Sequence, residues 1–325
     1  MPLGFGIRFN DLYEREGLAR VDAAFLDFLG QGDAALRDRL VAARANPPAT
    51  KEESDLLIAA APHVEDFVAQ LFGIEAEARA LAAKHHELAP LYSVKRLFVQ
   101  RRAMHKVKPE QIQNFDAAAA ARTLLGDTFT ELDFARKVTE WQQDEAANAE
   151  KLELAARYAA WAATTPEGKA KHRHGVLFKA PRKLDYMRLV PVHTETKRGF
   201  PEHTLEHLRE RQGFELTDRG TDLVGALDES NYCIWCHEQG KDSCSKGLKE
   251  KPAKDADPAA NFPAFKKTVF GVPLNGCPLE EKISEYQMVK ARGQPLAALG
   301  IIAVDNPMAA ATGHRICNDC MKSCI

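Results

Sequence analysis

Cys233-Ile234-Trp235-Cys236-His237-Glu238-Gln239-Gly240-Lys241-Asp242-Ser243-Cys244 places three thiols in one short segment. Four more follow, at Cys277-Pro278 and at Cys317-Asn318-Asp319-Cys320-Met321-Lys322-Ser323-Cys324. All seven cysteines of the 325-residue chain thus lie in its C-terminal third, with Cys-x2-Cys pairs at both ends of that region. Thiolates grouped this way suit soft metals, above all iron–sulfur cores, which are covalent and electron-rich. In a reducing compartment, clustered cysteines are ligands or redox groups rather than structural disulfides, and an odd count agrees.

Working outward, 45% apolar and 28% charged residues describe an ordinary globular protein of about two domains. The 44 basic and 46 acidic side chains leave a formal charge of −2, so no global field favours nucleic acid or an anionic membrane as partner. The start, Met1-Pro2-Leu3-Gly4-Phe5-Gly6, lacks a basic segment followed by an apolar run, and no stretch reads as membrane-spanning. A cytoplasmic protein is expected.

Residues 9–164 are patterned as helix almost throughout, rich in alanine and with apolar residues three and four apart, as in Leu18, Val21, Phe25 and Leu29. Thr50 and Glu53 after Asn46-Pro47-Pro48 form a candidate capping box. Phe134, Val138, Trp141 and then Leu154, Tyr158, Trp161 mark a long helix or helix pair whose aromatic stripe is core. Residues 165–224 read as a linker. It opens at Thr165-Pro166-Glu167-Gly168, continues through a basic run at Lys169, Lys171, Arg173, Arg182 and Lys183, and carries a short helix over 201–212. Residues 246–275, with Pro252, Pro258, Pro263 and Pro273, read as a polar surface excursion. Residues 279–303 are again helical, with Ile283, Tyr286, Val289 and Leu296, Leu299, Ile302 on apolar faces broken at Gly293 and Pro295. No strand run is evident. The expected fold is all-α: a helical accessory bundle over 1–164, the linker over 165–224, and a small helical metal domain over 225–325.

Several chemistries compete for the cysteines. Cys233, Cys236, Cys317 and Cys320 can form one tetrahedral zinc site, which would make the chain a structural zinc-stapled interaction protein without redox activity, but this leaves Cys244, Cys277 and Cys324 unused. Cys233-Ile234-Trp235-Cys236-His237 matches the pattern of covalent c-type haem attachment, which needs export, so His237 is read as a surface residue near the metal. His203-Thr204-Leu205-Glu206-His207 fits the H-x-x-E-H zinc-peptidase pattern, with Glu281 or Glu285 as a further ligand. Five-residue matches recur by chance in charged helices, and an exposed helix is the simpler reading. His85-His86, His172 and His174 are likewise read as surface.

Gly276-Cys277-Pro278, Asp305-Asn306-Pro307 and Gly313-His314-Arg315-Ile316-Cys317-Asn318-Asp319-Cys320-Met321-Lys322-Ser323-Cys324 resemble the N-terminal iron–sulfur domain of the glutamate synthase small subunit, shared with dihydropyrimidine dehydrogenase and related pyridine nucleotide-disulfide oxidoreductases. The resemblance covers about residues 225–325. It implies an α-helical, ferredoxin-like domain with two [4Fe-4S] clusters, Cys233, Cys236, Cys244 and Cys324 holding one and Cys277, Cys317 and Cys320 most of the other. The second cluster's remaining ligand would be missing or not a cysteine. Arg315 and Lys322, close to the thiolates in sequence, can either offset cluster charge or face solvent. The implied function is electron relay, with no residue of this chain performing bond chemistry. No G-x-G-x-x-G occurs, so FAD and NAD(P)H are expected on a downstream segment or a partner flavoprotein oxidoreductase.

Overall fold

A computed structural model describes residues 2–180, 185–206, 208, 210–216, 220–251 and 264–313. Helix dominates, as the alanine-rich periodicity requires, and the chain folds into two units. One combines residues 1–89 with 227–325; the other spans 90–226. This grouping differs from the sequential division at 164/165 and 224/225.

The first unit is organised on α1 (Arg15–Gly32), α2 (Ala34–Ala45) and α3 (Thr50–Phe72). Val21 and Phe25 pack with Ile7, Phe67 and Leu71, and Leu29 packs with Leu36 and Leu56, while Leu18 is exposed. The Thr50/Glu53 capping box does not form. Ala49, after the proline pair, is the N-cap, so Thr50 is already the first helical residue. Asp33 does cap α2, accepting from the Leu36 amide at 2.9 Å.

Two later helices complete this core: Ile283–Ala291 and Pro295–Asp305, broken around Gly293 and Pro295 as the sequence indicates. The face they bury is Val289, Ala297, Ala298 and Ile301 against Ala61, with Ile58, Val64 and Tyr286 around it. Leu299, by contrast, is exposed, while the small Ala297 and Ala298 are the residues buried against α3. Glu65 Oε2 on α3 accepts the Ala297 amide at 2.8 Å, so a buried carboxyl meets an otherwise orphaned N–H in the first turn of Pro295–Asp305. Lys282, before Ile283–Ala291, pairs with Asp305 at 3.3 Å and lies 3.7 Å from Glu53 of α3.

In the second unit, the aromatic stripe forms a helix pair, α4 (Glu131–Trp141) and α5 (Ala149–Thr164), with Phe134, Val138, Trp141 and Tyr158 buried. Glu131 accepts the Val176 and Leu177 amides at 2.8 and 2.9 Å, and its other oxygen lies 3.5 Å from His172 Nδ1. His172 Nε2 in turn lies 3.0 Å from the fully buried Tyr158 hydroxyl, so His172 is a core participant and not a surface residue. Thr165-Pro166 does not open a linker. Thr165 caps a short helix, Pro166–Lys171, in which proline takes the first turn, where its missing N–H costs nothing.

The expectation of helix over 201–212 is overturned. Val192–Lys197 and Phe200–Leu205 are β1 and β2 of an exposed antiparallel hairpin, paired from Val192↔Leu205 to Lys197↔Phe200. Arg198 and Gly199 both take positive φ, 54° and 83°, the two-residue turn that matches strand twist. Among the described residues the fold is therefore mostly helical with one two-stranded sheet, not all-α. Among the described residues no helix is long and apolar enough to cross a membrane.

Truncating Ile301 to alanine opens a cavity where the two late helices meet α3. It is expected to cost about 2–5 kcal/mol, measured by denaturant unfolding of the full chain.

Candidate ligand-binding site

The first cysteine segment folds as a tight loop. Trp235 has φ 51° and leads into a 3-10 turn, Cys236–Gln239, which buries Cys236 and His237. Asp242 caps the short helix Ser243–Lys246, its carboxylate accepting the Ser245 amide at 3.4 Å. The Cys277 amide donates to the Cys244 carbonyl at 2.7 Å. Gly276, φ 85°, allows this crossing, since a Cβ there would stand 2.6 Å from the Gly247 nitrogen and 2.8 Å from the Cys244 oxygen. The Gly-Cys-Pro signature has a backbone explanation independent of any metal.

Of the seven predicted ligands, Cys233, Cys244 and Cys277 are gathered near Tyr286. Burial, the Glu281 carboxylate and then these three sulfurs push the Tyr286 phenol up to about 12. Cys236 is buried beside His237, and Cys233 Sγ lies 3.9 Å from Ser284 Oγ. None of these four thiols is in a disulfide. Cys317, Cys320 and Cys324, with Arg315 and Lys322, lie outside the described residues. Among the described residues no group of three or more His, Cys, Asp or Glu side chains is placed to hold a metal ion. The helix that the H-x-x-E-H match needs is not found at its start: His203 sits in β2 and bonds Thr194 Oγ1 at 2.8 Å, and residue 207 lies outside the described residues.

A different site emerges between these loops and the start of α3. A cavity of about 610 Å³ is lined by residues of Thr50–Ser54, His237–Lys251, Lys266 and Glu285. Four of the residues that line it, Ser54, His237, Asp242 and Glu285, are more than nine-tenths buried; Ser54 hydrogen-bonds Glu285, while among the described residues His237 Nε2 and Asp242 Oδ2 have no hydrogen-bond partner and almost no accessible surface. His237 is oriented by Ser284, whose Oγ lies 2.6 Å from Nδ1. Burial pushes the Glu285 carboxyl above its ordinary range. A hydrogen bond from the Ser54 hydroxyl opposes this, Asp242 adds to it, and His237 opposes it. Such groups are costly to leave unpaired, by about 1–3 kcal/mol each.

The rim is cationic. Lys51, Lys241, Lys246, Lys249, Lys251 and Lys266 line it, against Glu250. Lys51 pairs with Asp55 and Lys246 with Glu280. Backbone bonds from Lys266 to Leu248 and from Glu250 to Ala264, both 2.8 Å, lay two segments side by side and fix Lys249 and Lys266 at the mouth.

Residues 3–73 match a family described as the RP005 N-terminal alpha-helical domain. Over 304 residues the chain is 34% identical to a protein of Rickettsia prowazekii (strain Madrid E) called uncharacterized protein RP005, covering 90% of this chain and 99% of the relative. The chain belongs to the RP005 family. No solved structure matches it.

Membership in the RP005 family overturns the resemblance to the glutamate synthase small subunit, since the matches are to this helical family and not to an iron–sulfur one. With it falls the description as an iron–sulfur oxidoreductase, for which the described residues supply no cluster-holding group. Short Cys-x2-Cys and Cys-Pro elements carried that description, whereas the RP005 relationship runs along almost the whole chain. The relay to a flavoprotein is left without the resemblance it stood on.

Sequence reasoning overlooked Ser54 and Asp242 and took His237 for a surface residue, although it is 3% exposed. His85 was misread in the same way; it is 1% exposed and its Nδ1 lies 2.8 Å from the Leu81 carbonyl. A usable signal existed in Ser284-Glu285, polar residues one turn before Met288 and Val289 on a buried face. In this RP005-family chain the folded state holds the Glu285 proton to higher pH than the unfolded chain. Stability from that group is therefore full below the ordinary glutamate range and is lost as pH rises through the raised value. Glu285→Gln is expected to raise the thermal midpoint near neutral pH and to lose that advantage in acid. Melting curves across pH check it, and a gain independent of pH would contradict it.

Proposed function

We propose that this RP005-family chain is a binding protein for small anionic molecules, taken into the cavity beside the cysteine loops. One observation carries the reading: six lysines, Lys51, Lys241, Lys246, Lys249, Lys251 and Lys266, line a single cavity. The cavity's size falls within the range usual for small-molecule sites. The lysine ammonium groups concentrate anions at the mouth, an attraction that weakens as salt screens it. Near-neutral overall charge makes this local excess informative, because it is not part of a generally basic surface.

Calorimetric titration of the full chain with pyrophosphate and with fructose 1,6-bisphosphate tests the reading. At least one is expected to bind, with affinity falling as salt rises. The double substitution Lys249→Ala and Lys266→Ala is expected to weaken it about tenfold or more, with the circular-dichroism spectrum unchanged. Failure of both probes, or equal binding by the double variant, would overturn the proposal.

A further inference from the structure

We infer that the hairpin is an assembly edge, along which β1 pairs antiparallel with β1 of a second copy of this chain. Every residue of both strands is exposed, and among the described residues no third strand joins them. A lone two-stranded ribbon is marginal in water, and further strands are what stabilise it. The Glu206 amide donates to the Pro191 carbonyl at 3.2 Å, which fixes the phase of the ladder. By alternation His193, Glu195 and Lys197 bond across to Thr204, Glu202 and Phe200. The backbone N–H and C=O groups of Val192, Thr194 and Thr196 therefore point away from β2, and those of Pro201, His203 and Leu205 point away from β1. The two edges are not equivalent. Pro201 has no N–H to offer, so the outer edge of β2 is interrupted, whereas that of β1 keeps a donor and an acceptor at every outward position.

Charge complementarity selects a second copy as the occupant and sets its register. One face of the hairpin gathers His193, Glu195, Lys197 and Glu202. Glu195 and Glu202 stand directly opposite one another, a repulsive pairing that Lys197 relieves from 3.4 and 3.1 Å. His193 lies 3.3 Å from Glu195 along the same strand. In a two-fold pairing, outward-bonding residues must face outward-bonding residues, so the axis falls at Thr194, Glu195 or Thr196. At Glu195 it sets the two Glu195 carboxylates against each other and His193 against Lys197. At Thr196 it runs at once into the Arg198-Gly199 turn. At Thr194 it engages the whole of β1, with His193 of each copy opposite Glu195 of the other and Val192 opposite Thr196. The resulting sheet has the order β2-β1-β1-β2, and the Pro201 edge at both ends stops it there. The interface shares no residue with the lysine-lined cavity, so it stands or falls independently of the anion-binding reading.

Sedimentation equilibrium of the full chain, from low micromolar to submillimolar protein, tests the inference. A reversible monomer–dimer equilibrium is expected. Thr194→Pro removes an outward N–H from each copy without touching the bonds between β1 and β2, and is expected to weaken the dimer about tenfold or more. His193→Glu sets carboxylates opposite one another across the axis and should also weaken it, while His193→Glu with Glu195→Lys restores opposite charges and should recover the dimer. Pro201→Thr supplies the missing donor on β2 and should let assembly proceed past the dimer. A monomer at every concentration overturns the inference. So does a dimer indifferent to both Thr194→Pro and His193→Glu, or one that the charge swap fails to recover.

Discussion

The contact between α3 and the helices Ile283–Ala291 and Pro295–Asp305 is the constraint on which the first unit rests. Its apolar part is built from small residues, Ala61, Ala297 and Ala298, with Val289 and Ile301, which lets the helix backbones approach closely. Its polar part is the Glu65 carboxylate on the Ala297 amide and the Lys282 pairing with Asp305. Burial pushes Glu65 upward, while the Ala297 and Leu296 amides pull it back. Because the same α3 face continues toward its N-terminus, this packing brings Ser54 close to Glu285 and so sets the inner wall of the cavity.

The cavity is then finished by loops rather than helices. The Cys236–Gln239 turn delivers His237, a four-residue helix capped by Asp242 delivers Lys246, and the backbone crossing at Gly276 holds the second loop against the first. Cys233, Cys244 and Cys277 belong to this scaffold. Cys244 and Cys277 meet through their backbones, and Cys233 reaches the serine that orients His237. Rigid supports of this kind place buried polar atoms accurately, which is what selective recognition requires.

Helices whose periodicity is set by core burial were legible in the sequence. The pair around Phe134 and Tyr158, and the break near Gly293, follow from apolar spacing and from glycine and proline chemistry. The hairpin was not legible as helix or strand from periodicity alone, since all of β1 and β2 is exposed and no buried face imposes alternation. Its signal was local: Val192, Thr194 and Thr196 before Arg198-Gly199, and Phe200 and Thr204 after it. The candidate site was hidden for another reason. Ser54, His237, Asp242 and Glu285 are scattered over more than two hundred positions, and only tertiary packing joins them.

Residues 90–226 sit in sequence between the two halves of the other unit. During vectorial synthesis this middle segment is fully emerged, and able to fold, while the first 89 residues still await the helices that cover Ala61 and Glu65. The early N-terminal helices therefore pass through a period with an apolar face uncovered.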